Sequence, residues 1–154
     1  MPRFNPELLL VEDHASDAEL ILLALGTRAE QTWLVHDGEE ALDFLFCRGS
    51  YADRSPEARP RLIILDIKLP KVDGLEVLRE IKRDPRTRSI PVVLLTSSRI
   101  EQDVAAGYQL GANSYVQKPV EFAQFRDTVH QLGQYWFTIN EPPPARAFSV
   151  GGAE

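Results

Sequence analysis

Four short apolar runs in this chain each lead into polar residues that packing alone would not require. The runs cover 8–11, 62–65, 92–95 and 115–116, and the polar residues at their ends are Glu12, Asp13, Asp66, Thr96 and Lys118. Continuous runs of Val, Ile and Leu are typical of parallel strands that are buried on both faces of a sheet. The carboxyl ends of parallel strands share one edge, where ligands of open α/β sheets bind. The chain order therefore predicts a site containing carboxylates, a hydroxyl and an ammonium.

Helical spacing fills most of the chain between these runs. Ser16 and Glu19 form a capping signature for a first helix that ends at Gly26, and a short strand at 32–36 precedes a second helix that begins at Asp37. Later helices are predicted over 75–84, 100–110 and 122–136. Five strands alternating with five helices predict an α/β fold of the doubly wound (βα)5 type, with a five-stranded parallel sheet and helices on both faces.

Two segments interrupt this alternation. Residues 48–61 are polar and contain two prolines, which predicts an exposed loop that is longer than a usual connection in an α/β unit. Residues 138–154 contain three consecutive prolines and lack periodicity, so we expect an extended or disordered C-terminal tail there. The folded domain is therefore predicted to span 6–137.

Charge and composition argue against several classes of function. The formal net charge of -6 argues against a nucleic-acid partner, because phosphate binding needs a clustered basic face. The single cysteine, Cys47, cannot form an internal disulfide, which is consistent with a reducing cytoplasm. We expect neither a secretory leader nor a membrane span, since no apolar stretch approaches the length of about 18 residues that crossing a bilayer needs.

Together, the polar strand ends resemble the receiver domain of two-component response regulators, a family with a flavodoxin-like fold. The matching features are Glu12-Asp13, a D-x-x-x-P motif at 66–70, Thr96-Ser97, and Tyr115 three residues before Lys118-Pro119. The separations of 30 residues from Asp66 to Thr96 and 22 residues from Thr96 to Lys118 also match the family pattern. The resemblance covers residues 6–137, and as a set these motifs are highly specific.

The polar loop at 48–61 adds a narrower resemblance, to the single-domain response regulators that are associated with phytochromes. This resemblance implies a sensor histidine kinase as the phosphoryl donor, and a bacteriophytochrome in particular. About 17 residues follow the folded domain, too few for a DNA-binding domain, so we expect output through contacts with a downstream protein.

The acidic strand ends indicate a metal site. Two carboxylates about 4 Å apart repel by about 4 kcal/mol at an effective dielectric of 20, so Asp13 and Asp66 should share a proton or recruit a cation. A site rich in hard oxygen ligands favours Mg²⁺. The resemblance implies direct ligation by Asp13, Asp66 and the backbone carbonyl of Lys68, whose side chain should point away, while Glu12 would act through water.

The resemblance also implies the reaction and its switch. Asp66 would attack the phosphorus of a phosphohistidine and become an aspartyl phosphate, while Lys118 and the metal neutralise charge on the phosphoryl oxygens. Thr96 would donate a hydrogen bond to the phosphoryl group and move inward, and Tyr115 would turn into the vacated space. A cis peptide bond between Lys118 and Pro119 is implied as well.

Two other functions compete with this interpretation. A haloacid-dehalogenase-type phosphatase also uses an aspartate after an apolar strand, but it needs a second aspartate where this chain has Lys68. A flavin-binding domain would need a loop rich in Gly, Ser or Thr after the first strand, where this chain is acidic. His14, His36 and His130 are far apart in sequence and lack the spacing of a transition-metal site.

We therefore expect a cytoplasmic phosphoreceiver that is not itself an enzyme, although it can lose its phosphoryl group by hydrolysis. An intermediate or phosphate sink in a phosphorelay is the alternative within the same family. Four apolar residues crowd the end of the last helix, namely Tyr135, Trp136, Phe137 and Ile139. Because one helix face cannot easily bury all four against the same sheet, we expect a homodimer through the last helices and the fifth strand, and ordinary packing under the tail is the alternative.

Overall fold

The computed structural model describes residues 5–148 and contains one parallel sheet of five strands in the order β2-β1-β3-β4-β5. The strands are β1 (Leu8–Val11), β2 (Thr32–Val35), β3 (Leu62–Leu65), β4 (Val92–Thr96) and β5 (Ser114–Gln117). The helices are α1 (Ala15–Leu25), α2 (Gly38–Leu45), α3 (Gly74–Arg83), α4 (Glu101–Gln109) and α5 (Phe122–Gln134). The predicted alternation of strands and helices is confirmed.

The sheet is covered on both faces because successive residues of each strand point to opposite sides. Leu9 belongs to the core layer that contains Phe44 of α2, whereas Leu10 belongs to the layer that contains Ile21 of α1 and Val129 of α5. Two separate apolar layers therefore flank one sheet, as the predicted doubly wound fold requires.

The first helix begins earlier than the capping signature predicted. α1 starts at Ala15, the capping position is His14 in extended conformation, and no side chain caps the helix there. Ser16 therefore lies inside the first turn, and its prediction as the capping residue was wrong. The amide of Ala18 donates to the carbonyl of His14 at 2.9 Å, so the helical hydrogen bonds begin before Ser16 could cap the helix.

The segment 48–61 is mostly exposed, as predicted, but it is fastened to the domain by one aromatic residue. Tyr51 is only 8% exposed and lies among the rings of Trp33 and Phe44. Its hydroxyl donates to Glu40 at 2.6 Å and accepts from the indole of Trp33 at 3.1 Å. Arg54 stacks its guanidinium over the Phe44 ring at 3.7 Å. Contacts of Tyr51 and Arg54 therefore hold the loop against the domain, and its polar composition gave no indication of them.

The chain after α5 turns back onto the domain. Tyr135–Ile139 form a π-helical turn, and Ala145–Phe148 form a short 3-10 helix. Ser89 donates to the carbonyl of Ala147 at 3.1 Å, and the guanidinium of Arg59 lies 4.5 Å from the centre of the Phe148 ring. These contacts occur in the segment that we expected to be an extended or disordered tail, of which residues 149–154 lie outside the described part. The boundary at 137 stays a prediction.

The Tyr51 hydroxyl is expected to stabilise the fold measurably. Burial, followed by the hydrogen bond to Glu40, raises the pKa of Tyr51 from 10.0 to about 12. Tyr51→Phe removes this hydroxyl and should lower the free energy of unfolding by about 1–2 kcal/mol at neutral pH, measured by urea denaturation. Between about pH 10 and pH 12 the native state keeps the phenolic proton of Tyr51, whereas the unfolded state has lost it. The difference between the two proteins should therefore be complete below about pH 10 and disappear toward about pH 12.

Tyr108→Phe is the matched control, because Tyr108 is 53% exposed. Its effect on the free energy of unfolding should stay within about 0.5 kcal/mol. Equal effects of the two substitutions would contradict the role of Tyr51.

Candidate functional site

The register of the sheet brings the polar strand ends together. Val11 of β1 pairs with Leu65 of β3, so Glu12 and Asp66 follow at the same level on neighbouring strands. Thr96 closes β4, and its carbonyl accepts a hydrogen bond of 2.8 Å from the amide of Lys118 after β5. The acids predicted to converge therefore do so at the carboxyl edge of the sheet.

The ammonium of Lys118 lies at the centre of a cluster of carboxylates at this edge of the sheet. Its Nζ lies 2.7 Å from Glu12, 2.9 Å from Asp17 and 2.8 Å from Asp66. A lysine ammonium has three N–H donors, so these three carboxylates can occupy all of them. Lys118 and Asp66 are 6% and 4% exposed and Glu12 is 1% exposed, which makes this a buried ionic network.

Burial and neighbouring charge act in opposite directions on these groups. Burial is the largest influence on Glu12 and raises its pKa above the usual value, although the hydrogen bond from Lys118 opposes this shift. Burial alone would lower the pKa of Lys118, but the hydrogen bonds to Asp17, Asp66 and Glu12 together outweigh it, so the pKa lies above its usual value. The ammonium therefore stays charged at neutral pH, with an excess of carboxylates around it.

Asp66 is held in a fixed orientation. One carboxylate oxygen accepts from the amide of Ile67 at 2.7 Å, and the other accepts from Lys118 at 2.8 Å. The turn after β3 is closed by the amide of Gly74, which donates to the carbonyl of Ile67 at 2.8 Å. A Cβ at position 74 would lie 2.1 Å from the carbonyl oxygen of Asp66, so only glycine permits α3 to start this close to the acid.

The donor atoms present fit a divalent cation. Glu12, Asp13, His14 and Asp66 each offer one ligand atom, and these atoms all lie within 4.8 Å of one another. Asp13 Oδ1 is buried and has no hydrogen-bond partner among the described residues, and a buried carboxylate oxygen without a partner is costly. A hard cation would satisfy it. Both oxygens of Glu12 already accept hydrogen bonds, from Lys118 and from the amide of His14. Glu12 is therefore suited to contact an ion through a bridging water and not directly.

The structure places the other predicted site residues at or beside this edge. Lys68 is exposed, as expected of a residue that would contribute only its backbone carbonyl; that contribution stays a prediction. Thr96 is 1% exposed, and its hydroxyl accepts from the amide of Ser98 at 3.4 Å. Tyr115 donates to the carbonyl of Ser98 at 3.0 Å, which ties the aromatic ring to the loop after β4.

The peptide bond before Pro119 differs from the expectation. No peptide bond in the described residues is cis, so the cis bond expected between Lys118 and Pro119 was wrong. The long side chain of Lys118 reaches the three carboxylates with the trans bond in place.

Sequence reasoning missed Asp17 and assigned no metal role to His14. Asp17 lies in the first turn of α1 and contacts Lys118, although nothing in its helical setting distinguishes it from an ordinary helix-start acid. A metal role for His14 was discounted because the three histidines lack ligand spacing, and the structure places its imidazole beside Glu12 and Asp13. The available signal was position, since His14 directly follows Glu12 and Asp13, and Asp17 lies in the first turn of the helix that begins at Ala15.

A doubly wound parallel sheet with a lysine-centred carboxylate cluster at its carboxyl edge defines a phosphoryl-accepting signalling domain. The response regulator receiver domain family matches residues 8–130, and the chain belongs to that family. The family membership leaves the phosphatase alternative without support, and Lys68 remains the residue that argues against it.

Three relatives illustrate the similarity. Response regulator Rcp1 of Synechocystis sp. (strain ATCC 27184 / PCC 6803 / Kazusa) is 40% identical over 140 residues, which cover 90% of this chain and 93% of Rcp1. A structure of its Mn²⁺-bound form has a TM-score of 0.80 at 37% identity, with 90% of this chain and 100% of that chain covered. The phosphorylated cyanobacterial phytochrome response regulator RcpA has a TM-score of 0.84 at 39% identity, with coverages of 91% and 99%. The bacteriophytochrome response regulator AtBRR has a TM-score of 0.68 at 50% identity, with coverages of 91% and 100%.

Removing the central ammonium should destabilise the protein strongly. Lys118→Met leaves Glu12 and Asp66 buried without their cation, which is expected to lower the free energy of unfolding by about 3–5 kcal/mol in metal-free buffer. Mg²⁺ should restore part of this loss and stabilise the variant more than it stabilises the wild type, because the added charge replaces the missing one. Urea denaturation with and without Mg²⁺ measures both effects.

Lys71→Met is the control, since the side chain of Lys71 is 61% exposed and its ion pairs with Asp37 and Glu39 are 3.7 Å long. Its effect should be below about 1 kcal/mol. A loss of that small size for Lys118→Met would contradict the importance of the buried network.

Proposed function

We propose that this chain accepts a phosphoryl group on Asp66 from a sensor histidine kinase in a Mg²⁺-dependent reaction. The observation that carries the proposal is the acidic cluster of Glu12, Asp13 and Asp66, in which Asp13 keeps a buried oxygen without a hydrogen-bond partner among the described residues. Asp13, Asp66 and the backbone carbonyl of Lys68 would hold the ion directly, and Glu12 would do so through water. When bound, Mg²⁺ supplies positive charge beside the phosphoryl oxygens.

The residues of the chain position the two reacting groups. A carboxylate oxygen of Asp66 forms the new bond to phosphorus while the bond from phosphorus to the histidine nitrogen of the kinase breaks. The hydrogen bonds from Ile67 and Lys118 fix the direction of that carboxylate before the donor arrives. Lys118 then shares its N–H donors with a phosphoryl oxygen, and Thr96 donates its hydroxyl to another.

The signal passes from Thr96 to Tyr115. Thr96 is buried at the end of β4, and the hydroxyl of Tyr115 is bound to the carbonyl of Ser98, two residues later. Movement of Thr96 toward the phosphoryl group would shift this loop, and Tyr115 would turn inward. The exposed surface near β5 changes as a result. Hydrolysis of the aspartyl phosphate by the chain itself would reset the switch.

Asp66→Asn is expected to abolish labelling by acetyl phosphate in the presence of Mg²⁺, because an amide cannot act as the nucleophile. Intact-protein mass spectrometry measures the added phosphoryl group. Asp127→Asn is the control, since the side chain of Asp127 is 69% exposed on α5, and it should be labelled like the wild type. Unchanged stoichiometry in Asp66→Asn would refute the assignment.

We propose a bacteriophytochrome as the kinase. The loop at 48–61 and the similarity to RcpA and AtBRR, whose names include phytochrome and bacteriophytochrome, support this choice. Phosphotransfer from purified sensor kinases, compared side by side, tests it. Efficient transfer from an unrelated sensor kinase and none from a bacteriophytochrome would argue against it.

The working environment proposed is the cytoplasm, with a downstream protein rather than nucleic acid or membrane as the target. The net charge of -6 disfavours phosphate backbones, and Cys47 has no disulfide partner. Within residues 5–148, none of the helices has the length and apolar character needed to cross a bilayer. Fractionation of cells that produce the protein tests its location.

The homodimer proposed for this chain would use α4, the end of β5 and α5. Large apolar side chains are exposed along this surface, with Tyr108 at 53%, Val120 at 94% and Phe122 at 57%. Ile139 beyond α5 is 70% exposed, whereas Trp136 and Phe137 pack against the core. Large apolar side chains that are exposed to this extent support an interface on this part of the domain.

Phe122→Glu is expected to weaken the dimer by at least about tenfold, because a carboxylate would be buried without a partner. Sedimentation analysis over a range of concentrations measures the change. Leu23→Glu, at a residue of α1 that is 70% exposed, is the control and should leave association unchanged. A dimer weakened by Leu23→Glu alone would place the interface on α1 instead.

A further inference from the structure

His14 is the one histidine that the described structure brings to the acidic cluster. Its Nδ1 lies 3.5 Å from Glu12 Oε2 and 3.7 Å from Asp13 Oδ1. Its backbone amide also donates to Glu12 Oε2 at 3.2 Å, which holds the start of α1 against the carboxylate. The imidazole is 64% exposed at the mouth of the site, so it can turn without disturbing the core.

We propose that His14 adds an imidazole nitrogen to the metal site, so that the site favours borderline divalent ions such as Mn²⁺, Co²⁺ and Ni²⁺ more than an all-oxygen site would. This inference rests on the proposed metal site and concerns which ion it selects. Imidazole suits transition metals, whereas Mg²⁺ prefers oxygen ligands and near-octahedral geometry at about 2.0–2.1 Å.

The spacing of the atoms is compatible with a shared ion. Ligands that lie about 2.1 Å from one octahedral ion are about 3.0 Å apart when adjacent and about 4.2 Å apart when opposite. The distance of 3.7 Å from His14 Nδ1 to Asp13 Oδ1, the other proposed direct ligand beside it, falls between these limits. Asp13 Oδ1, the nearer oxygen of that residue, is also the buried atom without a hydrogen-bond partner. Small rotations of the exposed His14 and half-buried Asp13 side chains would therefore allow Nδ1 of His14 and Oδ1 of Asp13 to bind the same ion.

Pulsed electron paramagnetic resonance of the Mn²⁺-loaded full chain tests the nitrogen ligand directly. The wild type should show electron spin-echo modulation from a bound nitrogen, and incorporation of ¹⁵N-histidine should change its frequency pattern. His14→Ala should abolish the signal, while His130→Ala should keep it, since His130 is exposed on α5 and lies outside the cluster. Absence of nitrogen modulation in the wild type, or its persistence in His14→Ala, would overturn the proposal.

Calorimetric titration provides the selectivity measurement. His14→Ala should weaken Ni²⁺ and Mn²⁺ binding by about tenfold or more, and Mg²⁺ binding by less than about twofold. Equal losses for all three ions would mean that His14 supports the site without discriminating between ions, which contradicts the selective ligation proposed here. His130→Ala should leave the three affinities at wild-type values.

The outcomes for this inference and for the proposed function can be separated with the wild-type protein. Labelling of the wild type by acetyl phosphate with Mg²⁺, but without nitrogen modulation from bound Mn²⁺, would remove only the role of His14. Nitrogen modulation without labelling would remove the phosphoryl-accepting function and leave the metal ligand in place.

Discussion

The buried ammonium of Lys118 holds together the parts of the chain on which the site depends. It contacts Glu12 after β1, Asp17 in α1 and Asp66 after β3, although Lys118 itself follows β5. Carboxylates this close would repel one another in a poorly hydrated edge without a cation between them. One side chain therefore makes it possible for separate strand ends to form a single acidic site.

The same network leaves the site short of positive charge. Three carboxylates, those of Glu12, Asp17 and Asp66, surround one ammonium, and Asp13 beside this cluster carries a buried oxygen without a hydrogen bond from the described residues. A divalent cation offsets this imbalance, and a phosphoryl group brought in with it can then be accommodated by the same ammonium. Stability and function therefore depend on the same side chain, because the ammonium that neutralises the carboxylates at rest is the group that would bind the incoming anion.

The differences from the sequence-based expectation lie mostly where distant segments meet. The helix start at Ala15 was missed because a capping signature at Ser16 is only a local pattern, and the turn after β1 sets the helix start instead. Tyr51 was assigned to an exposed polar loop, yet it is buried because Trp33 and Glu40 provide partners from β2 and α2. The bond before Pro119 is trans, and the Lys118 side chain reaches its three carboxylates with that bond in place.

The sequence alone determined the alternation of strands and helices and the residues at the strand ends, including Asp66, Thr96 and Lys118. It could do so because apolar runs buried on two faces have few alternative placements, and the carboxyl ends of parallel strands share an edge by geometry. Only the tertiary structure decided that Asp17 shares the ammonium and that the imidazole of His14 lies within 3.7 Å of both neighbouring carboxylates. Side chains on the first turn of a helix can point in several directions. Their partners are therefore set by the packing of α1 against the sheet and not by spacing along the chain.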